Sequence, residues 1–63
     1  MLHILIFDVL IWCGCAAFIG EMDDELTIAI GEAFVVHSEA DGWLEVTRLS
    51  DNRSGLVPVG YIQ

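Results

Sequence analysis

From Leu26 onward the apolar side chains recur at every second position, and no run goes far before a turn-forming residue interrupts it. Leu26, Ile28 and Ile30 set the period, Gly31-Glu32 breaks it, and Phe34 and Val36 resume it. After a polar stretch at residues 38–42, read as a loop, Leu44 and Val46 alternate with Trp43, Glu45 and Thr47. Alternation of this kind places successive side chains on opposite faces of a strand, whereas an amphipathic helix needs a period of 3.6. Ser50-Asp51-Asn52 supplies a turn in which Asn or Asp takes a positive φ, and residues 55–57 then pair back as a hairpin strand. Pro58 has no amide hydrogen, so that strand ends there or continues only as an edge. Val59-Gly60-Tyr61-Ile62 is short enough for one helical turn and a closing strand. Five short strands and no helix-length pattern in this part of the chain predict an all-β fold, a small five-stranded barrel. Leu26, Ile28, Phe34, Val36, Val46, Val57 and Ile62 are its expected core, and His37 is expected in a loop or at a strand end.

Residues 1–20 are nearly all apolar, interrupted by His3 and Asp8. That is about the length that crosses a bilayer. Against insertion stand Asp8, which costs roughly 2.5–3.5 kcal/mol near a helix centre, and the lack of any Lys or Arg ahead of the apolar run. Ile4, Ile6, Phe7, Val9, Ile11 and Trp12 also favour a strand over a helix. Residues 1–11 are therefore read as an apolar N-terminal extension and residues 12–63 as the domain. The competing reading is a small membrane-anchored or secreted peptide in which residues 1–17 insert; only then is a membrane a partner.

A chain of 63 residues is one small domain, or part of a larger multidomain chain, and buries only about 60% of the surface it exposes when unfolded. A deep catalytic cavity does not fit, and no nucleophile has a base at a recognisable spacing, so an enzyme is not expected. Two cations against ten acids leave a net charge of −8. Nucleic acid is excluded by that sign, because binding it rests on Lys and Arg neutralising phosphates; cationic partners are favoured. Of the acids only Asp8 precedes Glu21. Cys13 and Cys15 are too close for an ordinary disulfide, and His3 and His37 lack zinc-finger spacing. Two reduced, partly buried thiols, no metal, no cofactor and a cytoplasmic location are expected.

Three motifs stand in order along the acidic part: Asp24-Glu25-Leu26-Thr27-Ile28 with Gly31-Glu32, then Asp41-Gly42-Trp43, then Gly55-Leu56-Val57-Pro58-Val59-Gly60-Tyr61-Ile62. In this the chain resembles the Src-homology-3 (SH3) family over about residues 14–63. Val57 and Ile62 stand where the family has an aromatic and a valine. The departure is at the start, where the family's Ala-Leu-Tyr-Asp-Tyr aligns with Gly14-Cys15-Ala16-Ala17-Phe18. Phe18 is an acceptable second aromatic, but Ala16 replaces the first.

The resemblance implies an SH3-like barrel that recognises proline-rich Pro-x-x-Pro segments in the polyproline II helix, in an adaptor, scaffold or signalling role. Such a ligand is already extended, so little conformational entropy is lost on docking. Carried over by position, Phe18 and Tyr61 flank one groove and Trp43, Pro58 and Tyr61 the next. The indole N–H of Trp43 and the hydroxyl of Tyr61 are expected to donate to ligand carbonyls. Asp23, Asp24 and Glu25 are expected to face an Arg or Lys of the ligand, with Glu39 and Asp41 extending the acidic field. The loss of one wall at Ala16 implies a shallower groove, or a barrel that has lost proline-peptide binding and serves another contact.

Overall fold

Phe34, Val46 and Val57 are completely shielded from solvent, and Leu44, Ile28, Ile62 and Leu26 close around them. Leu26, Ile28, Phe34, Leu44 and Val46 come from period-two positions, and all seven form the core of a computed structural model that describes the backbone of residues 4–6 and 9–63 and the side chains from residue 10 onward. Burying one such side chain is worth about 1.5–3 kcal/mol. All the core residues named from the alternation are buried except Val36, which is half-buried and packs against the cluster. Leu44 joins them, as its position across the strand from Trp43 requires.

The chain is all-β. Strands β1 (Ile4–Ile6), β2 (Val9–Cys13), β3 (Ala33–Ala40), β4 (Trp43–Arg48) and β5 (Ser54–Pro58) form one antiparallel sheet in the order β1-β2-β3-β4-β5, followed by a single 3-10 turn, Val59–Tyr61. The sheet is not closed as a continuous ladder. Single bridges, Gly14 with Ile62, Phe18 with Ile28 and Glu25 with Leu56, fold the remaining chain back onto it. Cys13 and Gln63 exchange two backbone hydrogen bonds of 2.7 and 2.9 Å, which ties the end of β2 to the end of the chain.

Five strands are present among the described residues, but not the five expected. Residues 26–30 form no strand, because their backbone groups are taken by scattered partners. Ile28 exchanges two bonds with Phe18, Leu26 donates to the carbonyl of Leu56, and Ala29 donates to the Glu32 carboxylate. The apolar segment before residue 14 supplies strands, as its β-branched and aromatic content favours. Ile11, Trp12 and Cys13 pair with Val35, Phe34 and Ala33. No helix among the described residues is long and apolar enough to cross a membrane. The expectations for residues 1–11 and 1–17 lie partly outside the described residues.

The polar stretch at 38–42 is also more regular than a loop. Strand β3 runs to Ala40 and turns through Asp41 (φ 55°) and Gly42 (φ 84°) directly into Trp43. Two successive positive φ values in a two-residue hairpin connection mark a type I′ turn, whose twist matches that of the strands it joins. Asp-Gly supplies it at little steric cost. His37 lies inside β3, where the register slips between Val36 and Ser38. At the opposite hairpin Asn52 takes a φ of 64°, as the Ser50-Asp51-Asn52 sequence predicts.

Candidate functional site

Trp43 opens β4 immediately after the type I′ turn, paired with Pro58 in the register and facing away from the buried Leu44 and Val46. Its indole is half-buried, not enclosed. Pro58, with φ −65° and ψ 143°, ends β5 and sets the direction of the 3-10 turn that carries Tyr61. The Val59 amide donates to the Gly42 carbonyl at 2.9 Å, so the turn presenting Tyr61 is bonded to the turn presenting Trp43. Phe18 arrives from the far end of the sequence, held by its two backbone bonds with Ile28 of 2.8 and 3.1 Å.

These constraints bring the rings together. The Phe18 centroid lies 6.0 Å from that of Trp43, with planes inclined at 71°, and 5.5 Å from that of Tyr61, at 67°. Both are edge-to-face contacts, the arrangement the ring quadrupoles favour. All three side chains and Pro58 stay half-buried, leaving an apolar surface with a hydroxyl and an indole N–H.

The acidic loop is bonded to the outer side of β5. The Leu56 amide donates to the Asp24 carbonyl at 2.8 Å and Leu56 accepts from the Leu26 amide at 2.9 Å, while the Gly20 amide donates to the Thr27 hydroxyl at 3.0 Å. Asp23 and Asp24 are exposed, and Asp24 shares a shallow hollow with Glu45, Ser54, Gly55 and Leu56. Glu25 is half-buried and differently employed. Its Oε1 accepts the amides of Glu21 at 2.8 Å and Met22 at 3.3 Å, holding the loop tip in shape. Sequence reading assigns Glu25 to a ligand cation and misses this capping role. Glu39 lies on β3, paired with Leu44 and so on the face away from Trp43, and Asp41 lies in the hairpin turn; both are exposed.

Sequence reading also misses Arg48. Its guanidinium binds both carboxylate oxygens of Asp51 at 3.0 and 3.1 Å, the Thr27 carbonyl at 2.8 Å and Glu32 at 3.3 Å. The hydrogen bond to Asp51 does most to raise its affinity for the proton; burial opposes it, and the charges of Glu32 and Asp51 add to the rise. One side chain thus joins the β4–β5 turn to the base of the acidic loop. The available signal is that only two cations occur in the chain and an aspartate follows the first by three residues.

A family model described as the variant SH3 domain matches residues 16–63. This chain belongs to the SH3 family. No curated protein matches it significantly. The SH3 match takes in every residue of the aromatic trio, Pro58 and the acidic loop, and it begins after β2. Membership makes the chain a protein-interaction module, and SH3 domains in general are non-catalytic readers of proline-rich segments. In this SH3 domain Ala16 is half-buried.

Proposed function

We propose that this SH3 domain binds proline-rich Pro-x-x-Pro segments carrying an Arg or Lys, as an adaptor or scaffold element of a signalling protein. The observation that carries the reading is the convergence of Phe18, Trp43 and Tyr61, with Phe18 within 6.0 Å of one ring and 5.5 Å of the other. Polyproline ridges pack between aromatic faces, and the carbonyls that a polyproline II helix leaves free accept from the indole and the phenol. Asp23 and Asp24, both exposed, supply the acidic end, and the charge of Glu25, whose Oε1 holds the loop tip, adds to it.

Exposed ion pairs are worth about 0–1 kcal/mol, whereas loss of an interface aromatic costs about 2 kcal/mol or more. The aromatic surface therefore sets affinity, and the acids set ligand orientation and association rate. Ala16 lowers affinity by roughly tenfold relative to a site with both walls, so avidity through neighbouring modules favours engagement. The free thiols of Cys13 and Cys15 fit a reducing, cytoplasmic setting.

A heteronuclear NMR titration with Arg-containing Pro-x-x-Pro peptides tests the proposal. Saturable shifts centred on Phe18, Trp43 and Tyr61 that vanish in Trp43→Ala support it. Unmoved resonances at all three with millimolar peptide end it.

A further inference from the structure

The 3-10 turn that delivers Tyr61 also borders a second hollow. Its walls, among the described residues, are Trp12, Leu44, Val59, Ile62 and Gln63, with Glu39 at the rim. Phe18, Trp43, Pro58 and Tyr61 take no part in it. The hollow encloses about 280 Å³, just below the range of pockets that hold whole small ligands, and so suits a single inserted side chain. Gly60 lies along its edge, and a Cβ placed there would meet nothing within 4 Å, so entry from that side is open. Leu44 and Ile62, core residues each 2% exposed, border it from beneath.

The charge at the rim indicates what flanks the inserted group. The chain has only two Lys or Arg residues, and both are engaged around Asp51, at the β4–β5 turn. Glu39 therefore has no Lys or Arg of its own chain to pair with. A second copy is a poor occupant, since each copy carries a net charge of −8 and like-charged surfaces repel. We infer that the hollow beside Trp12 is a second docking site, which takes an apolar side chain of a partner segment next to a Lys or Arg that pairs with Glu39. It is independent of the proline-peptide reading, and a partner engaging both sides of the 3-10 turn would gain avidity.

The two tryptophans make the sites separately visible, because Trp12 reports this hollow and Trp43 the aromatic trio. The experiment titrates the labelled full chain with proline-free peptides containing Leu or Met beside Lys or Arg, following both indole N–H resonances and the methyls of Leu44 and Ile62. Expected is saturable movement of Trp12, Leu44 and Ile62 with Trp43 unmoved. Replacing the peptide's Lys by Glu should abolish it, and Glu39→Gln, at an exposed position that leaves the fold intact, should weaken it threefold or more. A stationary Trp12 at millimolar peptide overturns the inference, as does binding unchanged in Glu39→Gln. Shifts lost with Trp43→Ala would assign the peptide to the aromatic trio and likewise overturn it. Trp12 shifts that depend on protein concentration alone would make a second copy the occupant and overturn it too. Failure of the proline-peptide reading would appear at Phe18, Trp43 and Tyr61 and not at Trp12, so the two outcomes remain distinguishable.

Discussion

The ring of Phe18 meets that of Tyr61 edge to face, 5.5 Å between centroids, and joins the two ends of the family-matched segment in one surface. Phe18 also packs against the core, as does Tyr61, so the wall of the site is part of what stabilises the fold. Phe18→Ala is expected to lower stability by about 2 kcal/mol, less than the 3–5 of a fully buried ring, and to weaken proline-peptide binding as well. Thermal denaturation and a peptide titration on the same sample check both effects.

Trp43 differs, because it faces away from Leu44 and Val46 and remains half-exposed. Trp43→Ala should cost about 1 kcal/mol of stability or less but remove about 2 kcal/mol or more of peptide binding. Calorimetric titration beside urea denaturation separates the two. A large stability loss with binding retained would make the indole a structural residue.

Arg48 has 11% of its side chain exposed and holds three partners from separate parts of the chain. Its removal leaves the Thr27 carbonyl and the Glu32 carboxylate short of a donor. Arg48→Ala is expected to cost about 1–3 kcal/mol. Arg48→Lys should recover only part of it, because a point-like ammonium does not reproduce the planar fork. Urea midpoints of the three proteins check the order.

The hydrogen bond from Arg48 holds the Asp51 carboxyl below the ordinary aspartate range; desolvation opposes it, and the Arg53 amide adds a smaller lowering effect. A carboxyl whose proton affinity is lowered by folding stabilises the native state fully above its unfolded pKa of about 3.9. That contribution is lost as the pH falls through the lower native value. Melting temperature should therefore fall more steeply below about pH 4 in the natural chain than in Asp51→Asn. Relief of the repulsion among the other acids is common to both proteins, so the difference between their pH profiles isolates Asp51. Parallel profiles would deny the pair a role.

A methyl group at Gly55 would lie 2.9 Å from the Leu26 Cβ and 3.1 Å from the Asp24 carbonyl oxygen and the Leu26 amide. Backbone atoms at that distance have little room to give. Gly55→Ala should cost about 1–3 kcal/mol through overpacking, and it should push the acidic loop off β5. Faster hydrogen exchange at the Leu26 and Leu56 amides, which bond across that contact, would show it.

Strand β4 and its facing are legible in the alternation around Leu44 and Val46, because a period of two is a property of the local backbone. The same holds for the Asp41-Gly42 turn as a break and for the positive φ at Asn52, which depend on residues adjacent in sequence. Residues 26–30 show where that reasoning stops. They alternate like a strand, yet their amides find Phe18, Leu56 and Glu32 rather than one continuous neighbour. Propensity does not specify a partner, and a ladder needs one. The acidic loop is legible as acidic, but not the turning inward of Glu25, since the amides it accepts are presented only once the loop has folded.

Taken alone, the order of residues determined the all-β class, the inward faces of the strands, the sign of the charge and the three motifs that mark the SH3 family. Only the tertiary structure decided that the apolar start pairs with β3, that Arg48 ties two distant turns, and that Phe18, Trp43 and Tyr61 share one surface. The division is physical. Side-chain alternation and turn conformation are set by steric contacts between neighbours in the chain, whereas ring contacts, ion pairs and strand partners depend on segments far apart in sequence being brought within a few ångströms.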